Sequence, residues 1–183
     1  VTGVQTCALP IFKDYFEREL ANQLNLTRVS APLFVAPESG LNDTLNGVER
    51  PVRFGIKEQA DHEVEIVHSL AKWKRMALKR YGFHKGEGLY TDMNAIRRDE
   101  DTDNLHSIFV DQWDWEKIIS QEERNFDTLK EAVRRVYDAL RYTESYMSEK
   151  YGYIKPILPQ EIYFLTAQEL EDMYPDKTPK ERE

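Results

Sequence analysis

Apolar side chains recur at helical spacing in several parts of the chain, with polar residues on the opposite face. The first such stretch begins at Phe12 and is closed by Asn25. Residues 120–123 and 166–169 each have the form of a capping box, in which a hydroxyl and an acidic side chain satisfy free amides at the start of a helix. The resulting predicted helices are residues 12–25, 69–81, 120–151 and 166–174.

Alternation of apolar and polar residues, which is typical of strands, occurs between these helices. The predicted strands are residues 29–35, 52–56, 64–67, 105–115 and 162–165. Pro32 has no amide to donate, so the first of them lies at the edge or the end of a sheet. Several strand connections are too short for a crossover helix, and no repeat or linker interrupts the chain. The pattern favours one α+β domain, an antiparallel sheet flanked by helices.

Both ends of the chain lack the pattern of a folded terminus. Residues 1–10, VTGVQTCALP, carry no charge and no periodicity, and they look like translated sequencing-adapter read-through joined to a reading frame near Phe12. We therefore predict that residues 1–11 are non-native or disordered; a genuine disordered tail is the alternative. Residues 179–183 are charged and end without a cap or an apolar closure. We interpret both ends as truncations of a longer protein.

Composition narrows the class of protein. The chain is 40% hydrophobic and 32% charged, with a net charge of −8, which argues weakly against a protein that wraps nucleic acid but leaves ATP binding open. No run of about 18 apolar residues predicts a membrane span. Cys7 is the single cysteine, which fits a reducing compartment, and we expect a cytoplasmic protein. The histidines have no metal-ligand spacing, so we assign no metal ligand.

Lys74 lies inside the apolar stripe of the predicted helix 69–81, whereas Lys72 and Lys79 lie on its polar face. A lysine in that position either extends its ammonium to the surface or pairs with a buried anion. The first outcome is the commoner one in proteins. The second would place a cation in a pocket, facing a carboxylate or a phosphate.

Gln112 and Asp114 end one face of the predicted strand 105–115, because successive side chains of a strand alternate between faces. Gln112 can donate and accept hydrogen bonds, and Asp114 can hold an ammonium group. The alternative is a strand end that emerges into water. The flanking tryptophans, Trp113 and Trp115, make full exposure less favourable.

Arg97 and Asp43 lie in predicted loops and each has two interpretations. Arg97 opens a mixed-charge run, which is usually solvated, but an arginine there could also hold a phosphate. Asp43 lies among glycines and asparagines, a composition that favours an Asx turn. Neither residue can be assigned from the pattern alone.

Three strings of residues resemble the family of asparagine synthetase A, the aspartate–ammonia ligases. They are VHSLAKWKR (67–75), GEGLYTDMNAIRRDED (86–101) and HSIFVDQWDWE (106–116). The resemblance runs from about Phe12 to the end of the chain. It implies the catalytic fold of class II aminoacyl-tRNA synthetases, so that residues 12–183 would be the N-terminal part of a ligase domain. Pro32 is similar to the motif 1 proline of that class, which implies a homodimer.

The resemblance also implies roles for individual residues. Arg97 is similar to the motif 2 arginine and would contact the α-phosphate of ATP. Lys74 would hold a substrate carboxylate, Asp114 the α-ammonium, and Asp43 the incoming ammonium, and with Arg97 we name Lys74 and Asp43 as the catalytic candidates. The residues that would line the aspartate site are Asp43, Ser69, Lys74, Gln112 and Asp114.

The implied reaction joins ammonia to L-aspartate. The β-carboxylate attacks the α-phosphate of ATP, assisted by Mg²⁺, and ammonia then displaces AMP from the β-aspartyl-adenylate. The implied ligands are L-aspartate, ammonia and ATP, with no nucleic acid and no membrane. The family's further ATP and metal contacts would follow Glu183, so we expect this chain alone to be inactive. An aspartate-activating or RNA-binding module similar to a tRNA synthetase is the alternative.

Overall fold

Among the described residues, the chain forms two three-stranded sheets and five α-helices. The structure is a computed structural model that describes residues 2–43, 45, 47–104 and 106–182. In chain order the helices are α1 (Thr2–Leu24), α2 (Ala71–Arg80), α3 (Phe126–Lys150), α4 (Ala167–Met173) and α5 (Pro179–Arg182). The strands are β1 (Leu26–Arg28), β2 (Phe34–Val35), β3 (Arg53–Ile56), β4 (Gln59–Ile66), β5 (Gly88–Ile96) and β6 (Phe109–Lys117). No described helix is both long enough and apolar enough to traverse a bilayer.

The larger sheet has the strand order β1-β5-β6. Strand β5 pairs in parallel with β1 and antiparallel with β6, in an uninterrupted register over the nine residues of each longer strand. Gly88 lies between both neighbours, opposite Leu26 on one side and Lys117 on the other. A Cβ atom at this position would lie 2.6 Å from the carbonyl oxygen of Glu116 and 2.6 Å from Leu26 Cδ2. Only glycine fits there without moving backbone.

Helices cover both faces of this sheet. On one face, α2 packs its apolar stripe against alternate residues of β5, and the buried core there comprises Val35, Val67, Leu70, Trp73, Ala77, Leu78, Leu89, Met93 and Ala95. On the other face, residues of α1 and α3 pack against β1 and β5, with a core of Phe16, Leu20, Leu24, Leu26, Tyr90 and Ala139. We call these the α2 face and the α1 face. Residues 88–91 of β5 are therefore buried on both sides, whereas Asp92 and Asn94 are exposed.

The smaller sheet has the order β2-β4-β3 and is antiparallel throughout. Its strands flank the loop after the 3-10 turn Pro37–Ser39. The chain divides into two compact units, residues 1–143 and 144–183. In the second unit, the amides of Ile157 and Leu158 donate to the Glu144 carboxylate, at 2.6 and 3.0 Å. Helix α4 there begins with the predicted capping box between Thr166 and Glu169.

Most of the predicted elements are present, but several boundaries were wrong. Of the predicted strand 29–35, only residues 34–35 form a strand (β2), because the chain leaves the larger sheet at the end of β1, at Arg28, and joins the smaller sheet at Phe34. Strand 105–115 is shifted to 109–117, and residues 162–165 form no strand. Helix α3 begins at Phe126 rather than at 120, because its first turn is capped by Asn125, whose Oδ1 accepts from the Thr128 amide at 2.9 Å.

Two parts of the chain outside the predicted helices and strands are ordered elements. Residues 88–96 were assigned to no predicted strand, but they form β5. The backbone of residues 2–10 is helical and continuous with α1, although Leu9 is 61% exposed. The helix thus extends well before the predicted start at Phe12, and the non-native origin of residues 1–11 stays a prediction. At its other end α1 stops where predicted, because Asn25 has a positive φ of 57°.

Candidate active site

Strand pairing brings several polar side chains together on the α2 face. Asp114 of β6 lies opposite Thr91 of β5, and Gln112 lies opposite Met93. Directly opposite residues of an antiparallel pair point to the same face, and Met93 belongs to the core beneath α2. Gln112 and Asp114 therefore face the helix that carries Lys74. The Thr91 hydroxyl donates to the Asp114 carbonyl at 3.4 Å.

Lys74 is completely buried, with 0% of its surface exposed. Its ammonium forms an ion pair with Asp114, whose side chain is 25% exposed. The ammonium has no hydrogen bond of standard geometry to the described residues, so most of its three donors are unused. Burial lowers the pKa of Lys74 below its ordinary value, and the carboxylate of Asp114 partly offsets this effect. Of the two interpretations of Lys74, the structure supports the one in which it pairs with an anion.

Ser69 and Asp43 make local backbone contacts. The Ser69 hydroxyl accepts from the Ala71 amide at 3.2 Å, and Leu70 is the N-cap of α2, so the helix begins at Ala71 rather than at the predicted Ser69. Asp43 Oδ1 accepts from the Leu45 amide at 3.2 Å, and Leu45 has a positive φ of 53°. This contact is the Asx turn that the composition favoured.

Asn42, which the sequence did not single out, joins the loop before Asp43 to the segment before α2. Its side-chain amide donates to Glu65 Oε1 at 3.1 Å, and its Oδ1 accepts from the His68 amide at 2.8 Å. Lys72 donates to its carbonyl at 3.1 Å. Asn42, Glu65 and His68 are all buried. Buried polar residues of this kind give no periodic signal, because their partners are distant in sequence.

Arg97 follows β5 and continues its ladder, since its amide donates to the Ile108 carbonyl at 2.7 Å. The Nε atom of Arg97 is buried and has no hydrogen-bond partner among the described residues. The Arg50 amide donates to Asp99 Oδ2 at 2.9 Å, and the guanidinium of Arg50 pairs with the same carboxylate. Because a strand rises about 3.3 Å per residue, Arg97 lies roughly 20 Å along β5 from Thr91.

The structure thus brings Lys74, Gln112 and Asp114 together on the α2 face and places Arg97 at the far end of β5. No group of three metal-binding side chains occurs within residues 2–43, 45, 47–104 and 106–182. No residue of this chain is assigned to Mg²⁺.

The sequence profile described as "Aspartate-ammonia ligase" matches residues 4–183. The chain belongs to the aspartate–ammonia ligase family. It is 67% identical over 171 residues to "Aspartate--ammonia ligase" of Ruminiclostridium cellulolyticum, an alignment that covers 93% of this chain and 51% of that protein. It is 58% identical over 176 residues to the protein of that name from Lactiplantibacillus plantarum, covering 96% and 55% of the two chains. The chain thus spans about half the length of these relatives.

A solved structure shows the fold. PylSc, a pyrrolysyl tRNA synthetase of Desulfitobacterium hafniense, superposes with a TM-score of 0.54 at 14% sequence identity. The superposition covers 75% of this chain and 48% of that one. The predicted α+β fold of class II synthetases is therefore confirmed, as is the family resemblance based on the three sequence strings.

Proposed function

We propose that this chain carries the amino-acid-binding part of an ATP-dependent ligase that joins ammonia to L-aspartate. The products would be L-asparagine, AMP and pyrophosphate, formed through a β-aspartyl-adenylate. Family membership supports the substrates, since both relatives carry the name of that ligase. The observation on which the proposal rests is the buried ion pair between Lys74 and Asp114.

This ion pair is complementary to an amino acid, which carries a carboxylate and an ammonium on the same carbon. A substrate of that kind can enter between the two side chains. Its ammonium takes the place of Lys74 beside Asp114, and its carboxylate takes the place of Asp114 beside Lys74. Lys74 then holds the substrate carboxylate with its unused donors, and Asp114 holds the α-ammonium. Asp114 is the more exposed of the two, so the substrate approaches from its side. Gln112, two residues away on the same face, can donate to the substrate's oxygen atoms.

Activation requires a cation at the phosphoryl group, because negative charge increases where the β-carboxylate attacks the α-phosphate. Arg97 is our candidate for this role. The attack forms a carboxylate–phosphorus bond and releases pyrophosphate. Ammonia then bonds to the activated carbonyl carbon, loses a proton, and AMP leaves with the electrons of the broken C–O bond.

Asp43 would hold the incoming ammonium through the oxygen that does not cap the turn, and Ser69 would line the aspartate site. We also propose that Mg²⁺ accompanies ATP in this reaction.

A homodimer is also proposed, through the segment around Pro32 that is similar to motif 1. Leu33 and Phe34 follow this proline and are 53% and 42% exposed, and Phe34 packs edge-on against Phe54 with ring centroids 5.3 Å apart. Exposed apolar side chains of this kind are typical of protein interfaces. Sedimentation of the purified protein should give the mass of a dimer.

The test uses a chimera in which residues 12–183 replace the matching half of the Ruminiclostridium relative. With aspartate, ATP and ammonia it should form asparagine and AMP, without any need for tRNA. ADP and phosphate as products would contradict activation at the α-phosphate, and charging of tRNA would favour the synthetase-like alternative. The inactivity of the 183 residues by themselves stays a prediction, and the same assay on this chain measures it.

Arg97→Ala in that chimera should reduce adenylate formation by about two to three orders of magnitude, roughly 3–4 kcal/mol of transition-state stabilisation. Arg98→Ala is the matched control, because its exposed side chain follows directly in the sequence. Pyrophosphate exchange measures the step. Equal effects of the two substitutions would mean that Arg97 contributes only general positive charge.

A further inference from the structure

Three neighbouring side chains near the end of β5 contain buried polar atoms without a hydrogen-bond partner. They are Oε2 of Glu49, both ring nitrogens of His68, and Nε of Arg97, each without a partner among the described residues. A buried polar group that makes no hydrogen bond destabilises the fold, so such groups are rare in native proteins. His68 is the most buried of the three, with 1% of its surface exposed.

Hydrogen bonds fix the backbone around these residues. The His68 amide is held by Asn42 Oδ1 at 2.8 Å. The amide of Arg50, the residue after Glu49, donates to Asp99 at 2.9 Å, which ties that segment to the turn begun by Arg97. The charges of Glu49 and Arg97 both act on the His68 ring, which is therefore within electrostatic reach of both.

The unused donors and acceptors of this group match one another. Arg97 Nε–H can only donate, and a carboxylate oxygen of Glu49 can only accept. A neutral imidazole has one N–H donor and one acceptor nitrogen. Every unused atom is satisfied by a single arrangement, in which His68 accepts from Arg97 and donates to Glu49.

We propose that Glu49, His68 and Arg97 form a hydrogen-bonded relay in which His68 is a positioning residue that orients the Arg97 guanidinium toward a bound phosphate. In this relay the three groups with unused polar atoms hydrogen-bond to one another once the anion is bound. The fixed Nε–H leaves the two terminal nitrogens of Arg97 free to bind phosphate oxygens in a fork. That the anion is the α-phosphate of ATP rests on the proposed function, whereas the relay itself does not.

The relay requires a neutral His68, because an imidazolium would have two donors and would repel Arg97. Burial and the positive charge of Arg97 lower the pKa of His68 below its ordinary value. Carboxylates around the ring act in the opposite direction; they are Glu49, Glu65 and Asp99. Above its lowered pKa the ring is neutral and available to accept.

The first experiment needs no nucleotide. Nitrogen-15 NMR of the histidine rings in this chain distinguishes the two neutral tautomers from the imidazolium. We expect His68 to occupy one tautomer and to titrate below the ordinary histidine pKa of 6.5. Arg97→Met should raise the pKa of His68, and Glu49→Gln should lower it. A mixture of both tautomers in the unsubstituted protein would overturn the relay, and this readout does not depend on any variant folding.

The second experiment measures the affinity of the chimera for AMP by titration calorimetry. His68→Leu should weaken AMP binding by about tenfold, the effect of losing one hydrogen bond to a charged group. Either His68→Asn or His68→Gln should restore most of the affinity, because one of these amides places an acceptor near the lost ring nitrogen. His84→Leu is the control and should have no effect.

The two readouts separate the two proposals. A single His68 tautomer together with no AMP binding by the unsubstituted protein would support the relay and contradict the nucleotide role of Arg97. AMP binding that His68→Leu leaves unchanged would overturn the positioning role and leave the proposed function intact.

Discussion

The two faces of the β1-β5-β6 sheet are both buried under helices, but they handle charge in opposite ways. On the α1 face the interior is aromatic: Phe16 packs against Trp113 with ring centroids 4.7 Å apart. The ion pairs on that face each keep a partly exposed partner: Lys13 pairs with Asp111, and the buried Glu17 pairs with Arg28, whose side chain is 58% exposed. On the α2 face, Lys74 is fully buried within the core. A buried charge is costly, so its position marks the face where a charged ligand is expected to bind.

The largest effect should come from the α1 face and should be confined to stability. Phe16→Ala removes a ring that is 5% exposed and leaves a cavity, which costs about 3–5 kcal/mol. Urea denaturation of this chain measures the loss. Phe126→Ala is the control, because Phe126 is 52% exposed and its removal should cost much less. Comparable losses would mean that the aromatic interior of the α1 face contributes little.

A carboxylate on each face gives the direct comparison. Asp114→Ala leaves Lys74 buried without a partner and should cost about 3 kcal/mol, the low end for a broken buried pair because Asp114 is partly exposed. Asp111→Ala breaks the partly exposed pair with Lys13 and should cost at most about 1 kcal/mol. Urea denaturation of both variants measures the difference. If Asp111→Ala were the more damaging, the contrast between the faces would be wrong.

Replacing Lys74 itself should separate binding from folding. Lys74→Met keeps the side-chain volume and removes the buried charge, so the free energy of unfolding should change by only about 1 kcal/mol. Aspartate affinity of the chimera should fall at least about thirtyfold, because the substrate carboxylate loses its buried partner. Calorimetric titration with aspartate measures this, with Lys79→Met on the exposed side of α2 as the control. Unchanged affinity in Lys74→Met would remove Lys74 from the site.

The smallest effect concerns the exposed pair between Arg50 and Asp99 at the end of β5. Hydrogen bonds from the Arg50 side chain and amide hold the pKa of Asp99 well below its ordinary value of 3.8. The pKa of Asp99 is lower in the folded state than in the unfolded state. The pair therefore stabilises the fold above about pH 4, and this stabilisation is lost as the pH falls further. The stability difference between the unsubstituted protein and Asp99→Asn should therefore shrink between about pH 5 and pH 2. A constant difference would exclude this linkage.

The sequence identified Lys74 and Asp114 because each departs from a clear local pattern, a helical stripe in one case and a strand face in the other. It missed β5 because residues 88–91 are buried on both sides and show no alternation, and because residues such as Thr91 and Asn94 have low hydrophobicity. It misplaced the start of α3 because residues 120–123 contain the capping contact, with the Ser120 amide donating to Glu123 at 2.8 Å, yet no helix follows directly.

His68 and Asn42 were missed for another reason. Their importance depends on partners such as Glu65 and Arg97, which are joined to them only by the fold. A single sequence contains no signal for such pairs. Their detection requires the positions of buried donors and acceptors, which the sequence pattern does not provide.

Gly88 has a consequence for anyone who wishes to diversify this scaffold. A library randomised along β5 would tolerate changes at the exposed position Asp92. At position 88 only glycine would be recovered, because any side chain would collide with the backbone of one neighbouring strand and a side chain of the other. The same crowding makes this junction a poor place for a chemical label or an engineered cross-link. Position 88 is also a useful reference point for aligning distant homologues, because strands β1, β5 and β6 are all paired at this residue.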